Sequence, residues 1–153
     1  MAGMTTNTFF VAGALGVLCA STARAQSGRI KDLDSLQWRA AGAGVEMGLV
    51  DGNPQSAGDF TFAMRFKAGG IIPPHFHPGE TRVLVVRGEV RVGFGDEPDT
   101  LHARVIGPGG FAAIPANAHH FEAGKSDAVV FLTGPGPLKT TMVRPSGGGM
   151  NHP

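Results

Sequence analysis

Several residue types that carry chemistry in proteins are scarce in this sequence. Among 153 residues there is no tyrosine, one tryptophan and one cysteine, so ten phenylalanines must supply the aromatic packing. Neither sign of charge predominates, because 13 basic residues are balanced by 12 acidic ones and the formal net charge is +1. We therefore expect no binding to nucleic acid or to anionic membranes, which would need a basic patch.

The N-terminal segment has the pattern of an export signal. Residues 9–20 form an apolar run, and Ala23-Arg24-Ala25 gives a small-x-small cleavage site before Gln26. A buried N-terminal helix is the alternative, while the run is too short to span a bilayer comfortably. We predict a signal peptide over residues 1–25 and a bacterial protein that is periplasmic or secreted, with no stable membrane anchor after cleavage.

Removal of that segment changes the net charge and the cysteine content of the mature chain. It takes away Arg24, which leaves equal numbers of basic and acidic residues, and it takes away Cys19, the single cysteine. The mature chain then has no disulfide, no thiolate ligand and no cysteine nucleophile.

The rest of the chain has the pattern of an all-β domain. Glycine (24 copies) and proline (11 copies) are abundant, and they separate about eight to ten short alternating or apolar runs, without an amphipathic helix. This pattern favours one β-sandwich or barrel. We predict a flexible leader over residues 26–34, a single domain over residues 35–144 and a disordered tail over residues 145–153.

Two runs allow predictions about burial. In residues 58–67, apolar side chains alternate with polar ones, so one face of this strand should be buried; its members are Phe60, Phe62, Met64 and Phe66. Residues 82–86 are mostly β-branched and apolar, which predicts a strand buried on both faces.

His75 and His77 are the clearest candidate site residues. They lie two residues apart on a segment that Pro73 and Pro74 stiffen, and side chains at i and i+2 of a strand point to the same face. Imidazole binds Zn, Fe, Ni, Cu and Mn. We predict that the pair forms half of a site for a divalent transition metal whose identity the sequence leaves open.

The spacing around these histidines resembles the cupin superfamily. Its first motif runs Gly, His-x-His, Glu, Gly, and here Gly69, His75, His77 and Gly88 stand at the expected intervals, with Thr81 where the Glu is usual. Its second motif runs Gly, Pro-x-Gly, His, Asn. Gly109, Pro115 and His120 match it, whereas Asn117 replaces a glycine and Gly124 replaces the asparagine. Asn tolerates positive φ, so the turn can survive that exchange.

The resemblance covers roughly residues 33–144 and implies a single-domain cupin-type β-barrel, a double-stranded jelly roll of the RmlC-like kind, with a metal at its centre. His120 is the predicted third ligand, and His119 is the alternative because a shift of one residue exchanges the side chain that faces inward. Glu80 is the candidate fourth ligand and candidate catalytic base if a bulge turns it inward; a solvated loop carboxylate is the other interpretation.

Several functions are compatible with such a site. One hypothesis is a metal-dependent enzyme, dioxygenase-like or of isomerase or lyase type, acting on an unidentified small molecule. The lack of tyrosine argues against the nucleotide-sugar epimerases that the fold also includes. The other hypotheses are a non-catalytic periplasmic module that binds or senses a metal or small ligand, and a structural jelly roll with a vestigial site. A homodimer formed through edge strands is possible on this pattern.

Overall fold

The computed structural model describes residues 28–144. The predicted signal peptide (residues 1–25) and the predicted tail (residues 145–153) lie outside these residues. After a 3-10 turn at Leu33–Ser35, the described chain consists of strands and their connections. The strands are β1 (Arg39–Asp51), β2 (Gly58–Phe76), β3 (Thr81–Arg87), β4 (Val90–Phe94), β5 (Arg104–Ile106), β6 (Phe111–Ile114), β7 (His120–Gly124), β8 (Ala128–Gly136) and β9 (Thr141–Met142).

All nine strands belong to one antiparallel sheet and lie in one compact unit that begins at Lys31. The strand order is β5-β4-β7-β2-β8-β3-β6, and β1 and β9 also pair with β2. The sheet curls into a nearly closed barrel of the jelly-roll type, which confirms the predicted all-β fold class. Within residues 28–144 there is no helix long and apolar enough to cross a membrane.

Strand β2 organises the barrel, because four other strands pair with it. Its first half lies between β1 and β8, and its second half pairs with β7 and β9. A strand of 19 residues would extend about 60 Å if straight, so it must bend. The pairing of β1 with β2 is irregular between Phe66 and Ile71, where Gly69 has a φ of +76° and Gly70 approaches the backbone of Gly44 in β1. We assign the bend to this stretch. The sequence pattern predicted a strand only to residue 67, since glycines usually interrupt strands.

The core lies on the inner face of the barrel. Phe60, Phe62, Met64 and Phe66 of β2 are all buried, as the alternation predicted. They pack with side chains from the facing strands, among them Val83, Val85, Val90, Val92, Ile114, Val130 and Leu132. This continuous apolar cluster fixes the strands that carry the polar site.

Strand β3 differs from the sequence prediction. Val83 and Val85 are buried, but Leu84 and Val86 point outward and are about two-fifths exposed. The prediction of burial on both faces was therefore wrong. An apolar β-branched run fits a strand with one covered face equally well, because β propensity reports fit to a pleated surface and not the number of covered faces.

Candidate metal centre

His75 is the second-last residue of β2 and His77 directly follows the strand, which is paired on both sides here. His75 pairs with His120 of β7 and with Met142 of β9. Strand alternation turns both histidines to the interior, where they are 3% and 5% exposed. Phe76, between them, points the other way and stacks on His119 with ring centroids 4.9 Å apart.

The turn before β7 brings the third histidine to the same place. Asn117 adopts a φ of +61°, the conformation for which glycine is usual, and its N–H donates to the carbonyl of His77 at 2.7 Å. This bond ties the turn to the histidine pair. His120 follows three residues later and is 1% exposed.

The three rings form a compact cluster. The centroid of His75 lies 4.9 Å from that of His77 and 4.2 Å from that of His120, and the third separation is 5.4 Å. One ring nitrogen from each histidine lies within 4.8 Å of the other two. Three imidazoles at this separation could bind one metal ion. Among the described residues, this is the cluster of three or more histidine, cysteine or carboxylate side chains whose ligand atoms lie that close together.

Backbone carbonyls fix the orientation of every ring. The Nδ1–H of His75 donates to Pro73 O at 2.8 Å, that of His77 to Lys139 O at 3.0 Å, and that of His120 to Ala118 O at 2.9 Å. Because Nδ1 carries the proton in each case, Nε2 keeps its lone pair. Metal-binding histidines are held in the same way, with the other ring nitrogen donating to a backbone or carboxylate oxygen.

Burial keeps the rings neutral. It is the main cause that lowers the pKa of His75 and of His77, and it lowers the pKa of His120 to about 4. A neutral imidazole is the form that binds a metal. The residues present therefore fit a divalent ion.

A carboxylate that the sequence analysis missed faces the same cluster. Glu122 lies two residues after His120 in β7 and is 6% exposed. Its Oε1 lies 3.5 Å from Nε2 of His120, and its Oε2 lies 4.0 Å from Nε2 of His75. Burial raises the pKa of Glu122 to about 8. The signal was in the sequence, because the i, i+2 rule that groups His75 with His77 also groups His120 with Glu122.

The other predicted site residues lie elsewhere. The Glu80 carboxylate is 44% exposed and lies 2.6 Å from the guanidinium of Arg82, so the structure does not bring it to the histidines. His119 is on the surface, where its Nδ1 contacts the Asp96 carboxylate. Thr81 is buried, and its hydroxyl has no hydrogen-bond partner among the described residues.

Two open grooves of the described unit lie outside the histidine cluster. One, of about 850 Å³, is lined mainly by residues of β1, β2 and β8, and neither groove contains any of the three histidines. The candidate site is therefore identified by its converging polar side chains and not by the size of a cavity.

Comparison with known proteins agrees with this geometry. Residues 26–139 match the family described as the ChrR cupin-like domain. The chain belongs to this family. The resemblance to cupins, predicted from two motifs, is therefore confirmed, and the histidines of this ChrR-like cupin stand where cupins in general can hold a metal.

Individual relatives differ in what they do. Oxalate oxidase GF-3.8 of Triticum aestivum is 31% identical over 126 residues, which are 76% of this chain and 50% of the oxidase. The DMSP lyase DddQ of Ruegeria pomeroyi has a TM-score of 0.60 at 20% identity, over 75% of this chain and 64% of the lyase. The anti-sigma ChrR of Rhodobacter sphaeroides, solved in complex with SigE, has a TM-score of 0.52 at 20% identity, over 67% of this chain and 50% of that one. The chain spans about half the length of the curated oxalate oxidases that it matches.

Proposed function

We propose that this cupin binds a divalent transition metal through His75, His77 and His120 and acts there on a small molecule. The observation that carries the proposal is the set of three buried histidines whose ring nitrogens lie within 4.8 Å of one another, each with its Nδ1 bonded to a carbonyl. Buried acceptors without a donor are costly, and a bound cation removes that cost.

The proposed reaction is of oxidase or dioxygenase type on a small oxygenated substrate, with an isomerase or lyase reaction as the next candidate. Oxalate oxidases among the relatives support the first class, and the fold shared with a lyase supports the second. A bound metal would polarise a substrate oxygen as a Lewis acid or support oxygen chemistry. Three protein nitrogens leave positions open for substrate or water.

The chain itself contributes three things to such a reaction. The barrel wall buries the histidines, the carbonyl bonds to Nδ1 hold each ring in one orientation, and Glu122 places a carboxyl group beside the rings. Burial alone raises the pKa of that carboxyl to about 8, and a bound cation beside it would favour the ionised form.

Metal analysis of the purified protein tests the proposal. We expect close to one equivalent of a transition metal in the wild type and its loss in His75→Ala and His120→Ala. His119→Ala is the matched control, because it removes a neighbouring histidine that lies on the surface, and it should keep the metal. A wild type that binds no transition metal under any loading condition would exclude the proposal.

A second candidate function is a binding or sensing module without turnover. The ChrR family assignment and the Thr81 substitution in the first motif favour it. Oxygen consumption and product formation should be measured for the metal-loaded protein across a panel of small carboxylic acids and diketones. Turnover that His75→Ala abolishes supports the enzyme, whereas stoichiometric metal without turnover supports the sensing module.

We also propose that the protein is exported to the periplasm or the exterior and that it works without nucleic acid or a stable membrane anchor. The support is the apolar run before Ala25 and the balanced charge. The N-terminal sequence of the protein secreted by a bacterial host should begin at Gln26, and an intact Met1 on the exported protein would contradict cleavage. A homodimer is a further possibility that sedimentation of the same sample tests.

A further inference from the structure

We propose that Glu122 is the fourth protein ligand of the metal centre. In the cupin motif the ligand Glu stands at the position of Thr81, the first residue of β3. In this chain the carboxylate would come from β7 instead. This inference rests on the proposed metal site and adds to it a ligand that neither cupin motif contains.

The position of Glu122 on its strand favours this role. His120 and Glu122 are two residues apart in β7, so their side chains share the inner face. The residues paired with Glu122 on its two sides are Val92 of β4 and Ile72 of β2. Both are apolar, so neither side chain can donate a hydrogen bond to the carboxylate.

The distances place the Glu122 carboxylate beside the nitrogens that would share the ion. Metal–ligand bonds of about 2.0–2.2 Å place neighbouring donor atoms of one metal roughly 3 to 3.6 Å apart. Oε1 of Glu122 lies 3.5 Å from Nε2 of His120, and Oε2 lies 4.0 Å from Nε2 of His75. The Oε1 distance falls within this range, and the Oε2 distance lies slightly above it.

The hydrogen bonds of the histidine rings favour a cation as the partner of the Glu122 carboxylate. The proton of each ring is already donated from Nδ1 to a carbonyl, so the Nε2 of His75 and of His120 face the carboxylate as acceptors. Nε2 of His120 and Oε2 of Glu122 both lack a hydrogen-bond partner within residues 28–144. Acceptors that face one another in a buried site are costly unless a proton or a cation lies between them, and a metal ion would engage all of these atoms at once.

The other carboxylate near the motif lacks these features. Glu80 is 44% exposed and is already paired with Arg82. With Thr81 at the motif's Glu position, the site is one carboxylate short of the cupin motif. The buried Glu122 would restore that charge from another strand.

Metal affinity measured by calorimetry tests the inference, with Zn²⁺ as the probe and the full metal-free chain as the sample. We expect Glu122→Gln to weaken Zn²⁺ binding at least about tenfold, since even partners outside the coordination sphere contribute 10–100-fold. Glu80→Gln removes a surface carboxylate and should leave the affinity unchanged. Equal affinities for wild type and Glu122→Gln would overturn the inference, while absence of Zn²⁺ binding in the wild type would instead overturn the metal site itself.

The visible spectrum of the Co²⁺-loaded protein separates a ligand from a residue that only positions the histidines. Loss of a ligand changes the number or type of donor atoms, so the Glu122→Gln bands should shift in position and intensity relative to the wild type. An unchanged spectrum with weaker binding would mean that Glu122 acts outside the coordination sphere. Thermal unfolding of the metal-free variant shows whether it is folded, and we expect it to be at least as stable as the wild type because a buried carboxylate without a partner has been removed.

Discussion

At the scale of single residues, hydrogen bonds to backbone carbonyls set the orientation of the three histidine rings. Each histidine is oriented by a carbonyl from a different segment: Pro73 in β2, Ala118 in the turn before β7, and Lys139 before β9. Three separate parts of the chain must therefore be correctly placed before three lone pairs converge. That requirement makes the geometry of the turns as important as the identity of the ligands.

Asn117 is the turn residue with the strictest requirement, because its φ is +61°. A residue with a Cβ and without the local hydrogen bonding of Asn pays about 1–2 kcal/mol in this conformation. We expect Asn117→Ala to lower the free energy of unfolding by about 1 kcal/mol, whereas Asn117→Gly should stay close to the wild type. Urea denaturation compares the two variants, and equal stabilities would show that this φ is not a constraint.

Asp127 provides a pH-dependent contact far from the metal centre. Its carboxylate accepts the N–H of Ala68 at 2.9 Å and lies 3.2 Å from Nζ of Lys67, and these two contacts lower its pKa from 3.8. The folded protein thus favours the ionised form, so the contribution to stability is complete above about pH 3.8 and is lost as the pH falls through the lower folded pKa.

The corresponding measurement is the urea midpoint of wild type and Asp127→Asn between pH 7 and pH 2.5. We expect a midpoint difference that is constant from pH 7 down to about pH 5 and that shrinks in more acidic solution. Ser35, which is exposed and distant in sequence, offers Ser35→Ala as a control without a titrating group. A difference that grows on acidification would contradict the assigned direction.

At the level of elements, the strands were predictable where alternation was regular and less so where a glycine or an apolar run obscured it. The inner face of β2 followed directly from Phe60, Phe62, Met64 and Phe66. The continuation of β2 through Gly69 and Gly70 did not, because the pairing with β7 and β9 that sustains it comes from residues about 50 to 70 positions further along the chain, beyond the reach of local patterns.

Gly70 is the residue on which the bend of β2 depends. A Cβ at this position would lie 2.4 Å from the carbonyl oxygen of Gly44 in β1, closer than backbone atoms can tolerate. We expect Gly70→Ala to destabilise the protein by about 1–3 kcal/mol, the usual cost of overpacking. Gly107→Ala is the control, since the heavy atom nearest to a Cβ there would be a side-chain carbon of Glu89 at 4.0 Å. Thermal unfolding should separate the two variants clearly, and a stable Gly70→Ala would mean that β1 can move away at little cost.

At the scale of the whole molecule, the fold brings together two histidines that are 45 positions apart in the sequence. His75 and His120 were both predicted from motif spacing, and the structure pairs them across β2 and β7. Glu122 was not predicted, although it follows from the same alternation, because the motif directs attention to the segment after His77. A carboxylate can reach one centre from several strands of a closed barrel, and the sequence alone does not show which strand supplies it.

Metal binding should therefore stabilise the barrel as a unit. The ligands come from β2 and β7, which are far apart in the chain, and the unfolded state cannot present them together. A ligand that binds only the folded state adds about 4 kcal/mol at a free concentration 1,000 times its Kd. We expect Zn²⁺ to raise the unfolding temperature of the metal-free wild type by several degrees and EDTA to reverse the shift.

Three variants test whether the Zn²⁺-dependent rise in unfolding temperature comes from the histidine site. His75→Ala should unfold at the same temperature with and without Zn²⁺, while His119→Ala should respond like the wild type, because its imidazole lies outside the cluster. Glu122→Gln should show a reduced response if the carboxylate binds the ion. Stabilisation of His75→Ala by as much as the wild type would place the bound metal elsewhere on the protein, since adventitious sites do not depend on the pairing of β2 with β7.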